Sequence, residues 1–349
     1  MCIRDRFVST LKYLFIAIII SSMSAGVYGH HSIVSHFDPS KSQELSGVLT
    51  EINYRSPHSF FFLDVENESG EIENWEVELG SVVHLRRMGV NQDTFSVGDT
   101  LKIAIWPNRE PNKRFVYGTS FIDTQDQRYG NYPEDEIQHS DPTVTGVEAV
   151  FGRWLSPLPF EQDLPGLSLT EAGLLAEKNY KPSLSPATIC EPLTIPDLQI
   201  SPYMTDIRME DGMITFVHEA YGITRSIPLD SPQVPVDETG WMGTASAYID
   251  GDELVIESSN YPVSSWGLGG AAQVKGSKRV DYPSSPLKKV VERYSVTDDG
   301  ETLLLAFTLD DPVYLSEPYN GTIRVQRVAD TEPMFPFECD VSSAARFSN

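Results

Sequence analysis

The chain has 349 residues, 40% of them apolar, with 50 acidic residues against 26 basic ones. That length supplies two hydrophobic cores rather than one. A formal charge of -24 and a pI near 4.6 leave no attraction for phosphate backbones or anionic membranes, so nucleic acid is excluded as an expected partner. Aromatic residues at 10%, with 24 Gly and 24 Pro, indicate a folded, turn-rich chain and not a disordered one.

Residues 1–6, Met-Cys-Ile-Arg-Asp-Arg, read as the translation of a sequencing adaptor joined to a truncated gene and are set aside. Lys12, the apolar run Leu14 to Ile20 and the small residues through Gly29 then have the layout of a Sec-type signal peptide. Cleavage is expected after Gly29, with Val27 at the minus-three position, or alternatively after Gly26. The apolar run is too short to cross a bilayer, no Cys lies near the cleavage region to carry a lipid, and no later segment reads as a transmembrane helix. The expected mature protein is soluble, acidic, and periplasmic or secreted.

From Leu45 the chain reads as short strands bounded by turn residues: Leu45 to Tyr54, Phe60 to Val65 and Ile72 to Leu79, with Glu68-Ser69-Gly70 between the last two. The period then changes. Val82, Val83, Leu85 and Met88 fall on a helical spacing between Ser81 as N-cap and Gly89 as stop. Two further strands follow, Thr100 to Trp106 and Phe115 to Ile122. Three strands, a helix and two strands is the order of a five-stranded OB-like barrel, expected over residues 30–125.

Residues 126–148 read as an acidic linker, and residues 149–349 as a second domain. Thr170 caps one short helix there. The rest alternates strands with acidic hairpins at Glu210-Asp211-Gly212, Asp250-Gly251-Asp252 and Asp298-Asp299-Gly300, the pattern of an antiparallel meander. About eight strands close such a meander into an up-and-down, lipocalin-like β-barrel. Closure has a candidate pair. In lipocalin-like barrels a Gly-x-Trp at the start packs its indole against an arginine of the last strand, which here matches Gly152-Arg153-Trp154 with Arg324 or Arg327. The fold class is thus mainly β, two barrels in series.

Beyond the leader, two cysteines remain, Cys190 and Cys339. An oxidising compartment favours a disulfide between them, the alternative being two separate buried thiols.

Of the seven histidines, His30, His31 and His36 cluster at the expected mature N-terminus. With His30 first, its free amine and Nδ1 chelate Cu(II) and a second imidazole completes the set; with Gly29 first, Gly-His-His gives a square-planar Cu(II) or Ni(II) site. His58, in the loop after the first strand, is the expected distant partner, and Asp38 and Glu76 are candidate carboxylates to orient the rings. The metal candidates are therefore His30, His31 and His58, with copper as the possible cofactor. Glu76 and Glu78 share one face of a strand, read as solvated, with acid–base work as the alternative. Arg86-Arg87 reads as a neutralising surface pair. Trp241, Tyr248, Tyr261, Trp266, Tyr282 and Tyr294 are candidates to line an apolar ligand cavity in the second barrel. No Gly-rich phosphate loop, HExxH, GxSxG or spaced Cys/His cluster is present.

Gly29-His30-His31-Ser32, His36-Phe37-Asp38, Gly47-Val48, Ser56-Pro57-His58, Asn74 to Gly80 and Leu85 to Gly89 together resemble a family of uncharacterised exported bacterial proteins. These begin with His-His-Ser and carry Asn-Pro-His in a small OB-like domain; here Ser56 replaces the Asn. Long members are similar in the second half, through Trp241-Met242-Gly243, Gly251 to Glu257, Val290 to Tyr294 and Asp310-Asp311-Pro312. Thr244 and Lys289 stand where relatives often place His, which argues against a histidine site in the second barrel. The resemblance implies architecture and compartment and no particular activity.

The leading expectation is an exported two-barrel protein that binds a small molecule or a divalent metal ion without turnover. The alternatives are a copper-dependent redox enzyme built on the N-terminal histidines, and a cell-envelope module that binds proteins.

Overall fold

The computed structural model describes residues 36–130, 144–156, 161–181, 186–201, 203–265, 267–268, 274–275, 278–279 and 282–345. In strand β1 (Gln43–Asn53) Leu45 and Leu49 point inward between polar residues. β2 (Ser59–Glu66), β3 (Ile72–Leu79), β4 (Thr100–Trp106) and β5 (Phe115–Ile122) repeat the alternation with Phe61, Leu63, Val77, Leu79, Leu101, Ile103, Ile105, Val116 and Phe121. The antiparallel path β3-β2-β1-β4-β5 closes through a parallel pairing of β3 with β5, giving the expected OB-like barrel. Its interior is tight: a Cβ on Gly118 would lie 2.6 Å from Leu79 Cδ2. Helix α1 (Val82–Arg87) is capped by Ser81, whose side chain accepts from the His84 N–H, and buries Val82, Val83 and Leu85.

The second barrel comprises β6 (Gly152–Leu155), β7 (Met204–Glu210), β8 (Met213–His218), β9 (Thr224–Pro228), β10 (Val234–Pro235), β11 (Thr244–Asp250), β12 (Glu253–Ser259), β13 (Lys289–Val296), β14 (Thr302–Asp310) and β15 (Tyr319–Val328). All ten are antiparallel to their sheet neighbours, and β6 pairs with both β7 and β15, so the first strand joins the last. The remaining seam is crossed by the Ser226 N–H donating to the Val236 carbonyl and the Asp230 N–H to the Ala247 carbonyl, each at 2.8 Å. The mainly β, up-and-down architecture is as expected. Asp211 and Gly212 both have positive φ, 51° and 76°, the left-handed turn that matches strand twist in a two-residue hairpin.

The barrel has two unlike ends. At the hairpin end Arg327 lies over Trp154, its Cζ 4.1 Å from the ring centroid. Arg327 Nε also donates to the Gly300 carbonyl at 2.8 Å, and its guanidinium donates to the Ala149 carbonyl. Gly152 makes room, since a Cβ there would sit 2.7 Å from Arg327 Nη1. Arg324 is exposed, so only one of the two arginines serves the closure, as strand alternation requires. At the other end the connections are long, and residues 194–199 pack into the mouth with Ile195 and Leu198 in the core.

The expected linker is shorter than residues 126–148. Arg128–Tyr129 adds to β5, and the 3-10 turn Gly146–Val150 buries Ala149 and Val150. The two barrels meet along a C-terminal tail. Phe337 packs against Tyr203 and Tyr221, with centroids 5.2 and 4.7 Å away. Cys339 forms a disulfide with Cys190, as expected. Helix α2 (Glu171–Asn179) is capped by Thr170, and the short helix α3 (Val341–Ala344) by Asp340.

Candidate functional site

Two places withdraw charged side chains from water. The first is the outer face of the OB-like barrel. Val77 and Leu79 face its core, so Glu76 and Glu78 point outward. Glu78 is nevertheless fully buried, which corrects the reading of that face as solvated. Strand pairing sets it beside Tyr117 on β5 and Phe60 on β2, and the Phe37 ring packs 5.8 Å from Tyr117 and 5.1 Å from Phe115. The covering segment is fixed by the Arg109 N–H donating to the His36 carbonyl at 2.8 Å and the Asp38 N–H to the Pro107 carbonyl at 2.9 Å.

His58 completes this face. Its Nδ1 lies 3.0 Å from Glu78 Oε1, while its side chain remains 20% exposed. Its backbone is held on both sides by Ser343, whose hydroxyl accepts from the His58 N–H at 3.2 Å and donates to the His58 carbonyl at 2.5 Å. The Asp340 N–H donates to the Ser56 carbonyl at 2.7 Å, and the Val82 N–H to Ser56 Oγ at 3.2 Å. Burial lowers the pKa of His36, which Glu78 partly offsets. Burial, with Arg87 and His58 adding to it, brings His84 down to about 4. Burial and the Glu78 charge push Tyr117 up.

The carboxylate placed at His58 is neither Asp38 nor Glu76 but Glu78. Asp38 instead receives Ser40 and Lys41. His30 and His31 lie outside the described residues. Among the described residues no group of three His, Cys, Asp or Glu is spaced to hold a metal ion.

The second place is inside the second barrel. On β13 Val290, Glu292 and Tyr294 point inward. Glu292 meets Arg225 of β9 in a bidentate pair, Nη1 to Oε1 at 3.1 Å and Nη2 to Oε2 at 2.7 Å, with both side chains almost completely buried. The Tyr294 hydroxyl donates to Glu292 Oε1 at 2.5 Å and accepts from Gln199 Nε2 at 3.0 Å. The Arg225 guanidinium lies 5.2 Å from the Phe216 centroid. Burial alone would depress the Arg225 pKa, but the charge of Glu292 and its hydrogen bonds more than offset this and the net shift is upward. Burial and Glu292 raise Tyr261 and Tyr294, while burial and Arg225 lower His218 well below its usual range.

Around this pair, Arg225 Nε and His218 Nε2 are buried and make no hydrogen bond among the described residues. The Ser258 and Tyr261 hydroxyls face each other within hydrogen-bonding reach. Lys288, also buried, differs: its ammonium donates to Thr194 Oγ1 at 3.1 Å, to the Ile195 carbonyl at 2.6 Å and to the Gly267 carbonyl. Burial brings its pKa down to about 7 against the pull of Asp197, Asp311 and Glu292. These bonds use all three of its donors and pin the mouth segment in place.

The expected apolar lining is accordingly revised. Tyr261, Tyr282 and Tyr294 are buried, but Tyr261 and Tyr294 surround charged groups. Trp241 is half-buried, its Nε1 donating to the Pro192 carbonyl at 2.9 Å. Tyr248 faces outward, because Ala245 and Ala247 take the inward positions of β11, and its hydroxyl donates to Glu257. Trp266 lies outside the described residues. Arg225 and Glu292 escaped the sequence reading, although an acid between Val290 and Tyr294 at the strand period was its available signal.

Residues 17–116 match a family of unknown function (DUF6152). No curated protein matches the sequence. Among solved structures the chain is similar to the apo form of Caenorhabditis elegans lipid binding protein 8 (LBP-8). The match has 7% identity and a TM-score of 0.29, and covers 53% of this chain and 99% of that one.

Proposed function

We propose that the chain is a two-domain β-barrel binding protein whose second barrel takes a small polar molecule at its loop-bearing end. The observation that carries this is a pair of buried nitrogens, Arg225 Nε and His218 Nε2, that have no hydrogen-bond partner among the described residues beside a desolvated ion pair, with the Ser258 and Tyr261 hydroxyls next to them. Each such atom costs on the order of 1–3 kcal/mol when unsatisfied, so a molecule that meets them is bound with that energy in its favour. Glu292 already neutralises Arg225, and His218 is neutral, so the fitting ligand is uncharged and carries both a donor and an acceptor. The leader-like N-terminus supports a periplasmic or secreted protein as the setting for this binding.

The test is ligand-observed NMR with a library of small neutral hydroxyl and carboxamide compounds. Compounds that bind the wild type and are lost on Ser258→Ala or Tyr261→Phe support the site. Absence of binders, or binders that both variants retain, overturns it.

A further inference from the structure

We infer that residues 194–199 are a movable gate over the mouth of the second barrel, held shut by Lys288; this rests on the ligand site proposed above, to which the gate gives access. That site is sealed in the closed arrangement. Arg225, Glu292, Tyr261 and Tyr294 are each 3% exposed or less, so a molecule arriving from water must displace part of the protein. The covering segment places Ile195 and Leu198 in the core and touches the site directly. Gln199 Nε2 donates to the Tyr294 hydroxyl at 3.0 Å, and that hydroxyl donates to Glu292.

The strands around the site are poor candidates for movement, because β12, β13 and β14 are paired on both sides and opening them breaks whole ladders. Residues 194–199 differ. Among the described residues they join no strand ladder, and the Leu198 and Gln199 N–H groups donate locally, to the Thr194 and Pro196 carbonyls at 3.0 Å each. A single turn of this kind opens at much lower cost than a strand. Lys288, fully buried just before β13, supplies the fastening. Its ammonium donates to Thr194 Oγ1 at 3.1 Å and to the Ile195 carbonyl at 2.6 Å on the gate, and to the Gly267 carbonyl on a neighbouring connection. Its Nζ also lies 4.3 Å from the Tyr261 centroid, so latch and site share a wall. Bonds from a charged donor are about twice as strong as neutral ones, yet these fail together once their acceptors shift, which suits a segment with two positions. The approach to the gate is tethered at Cys190 by the disulfide and at Pro192, whose carbonyl accepts from Trp241 Nε1 at 2.9 Å; its exit enters β7 at Met204. The segment therefore moves between fixed points.

The test is amide hydrogen exchange of the full chain read by mass spectrometry, on peptides spanning residues 194–199 and strands β12 and β14, for the wild type, Lys288→Met and Gln199→Ala. Near-ultraviolet circular dichroism shows that each is folded. In the wild type the gate peptide is expected to exchange faster than the strand peptides. Lys288→Met should speed it a further 10- to 100-fold or so, and Gln199→Ala roughly 2- to 10-fold, with β12 and β14 unchanged. A wild-type gate that exchanges only as fast as β12 and β14 overturns the inference, as does equal acceleration of gate and strands, or none, in the folded variants. If Lys288→Met does not fold, the wild-type comparison and Gln199→Ala decide. This readout needs no ligand. A locally opening gate with no binder in the neutral-compound screen overturns the ligand site alone, whereas binders combined with a gate as slow as β12 overturn the gate alone.

Discussion

Arg87 of the OB-like barrel and Glu219 of the second barrel form an ion pair with side chains only 2% and 0% exposed. Glu219 also accepts from the Met204 N–H at 3.0 Å and the Phe335 N–H at 2.7 Å, so one carboxylate joins the first barrel, the second barrel and the tail. Removing the arginine strands a buried charge. Arg87→Met is expected to cost about 3–5 kcal/mol in urea denaturation. Arg86→Ala, whose contact with the half-exposed Glu338 is long at 3.6 Å, should cost clearly less, about 1 kcal/mol. Equal losses in the two variants would remove Glu219 as the joint.

The Arg225–Glu292 pair should separate stability from binding. Glu292→Gln alone leaves Arg225 uncompensated, an expected loss of about 3–5 kcal/mol, whereas Arg225→Met with Glu292→Met recovers most of it because apolar groups of similar volume need no desolvation. The double variant should still lose the small-molecule binders of the wild type. Denaturant midpoints and the NMR screen read the two effects, and retention of binding by the double variant would sever the ion pair from the site.

Gly152→Ala should loosen the closed end of the second barrel. The residue has φ of +145° and its added Cβ would meet Arg327 Nη1 at 2.7 Å, so either the backbone or the guanidinium must move off Trp154. A loss of about 1–3 kcal/mol with altered tryptophan fluorescence is expected. An unchanged melting curve would show that the arginine adapts freely.

Acid should weaken the fold before most carboxylates titrate. His84, at about 4 in the folded chain, and His218, lower than its usual range, both bind fewer protons when folded than when unfolded. Their contribution is complete above the unfolded pKa near 6.5 and is lost as pH falls toward the folded value, at up to about 1.4 kcal/mol per pH unit for each. Urea denaturation between pH 7.5 and 5 should show this decline, and His84→Gln should flatten it. An identical slope in the variant would count against His84.

Reduction should act through the tail. The Cys190–Cys339 disulfide closes 149 residues, which in the chain-entropy picture stabilises by on the order of 5 kcal/mol. Cys339→Ser is expected to lower the melting temperature and to speed amide exchange at His58 and Ser343, whose mutual bonds depend on the tail. Exchange at His58 equal to that of the wild type would show that helix α3 docks without its tether.

Much of this was legible in one dimension. The hairpin at Asp211-Gly212 needs left-handed backbone that few other residue pairs accept, and the strands on either side follow within a residue. Strand alternation let only one of Arg324 and Arg327 face Trp154, and the structure selects Arg327. Glu78 was misread for a related reason: alternation placed it correctly on the outer face, but only β5 and the Phe37 segment, folded over that face, bury it.

The sequence by itself determined the two-barrel class and the OB-like strand order, and it narrowed the closing contact to Trp154 with Arg324 or Arg327 and the cysteines to one favoured pair, because these rest on local periodicity, turn chemistry and the scarcity of cysteine. Tertiary structure alone decided which charges leave water. Arg87 meets Glu219 across 132 positions and Arg225 meets Glu292 across 67. No local pattern encodes such pairs, since the cost of burying a charge and the partner that offsets it are set only when distant strands and the tail come together.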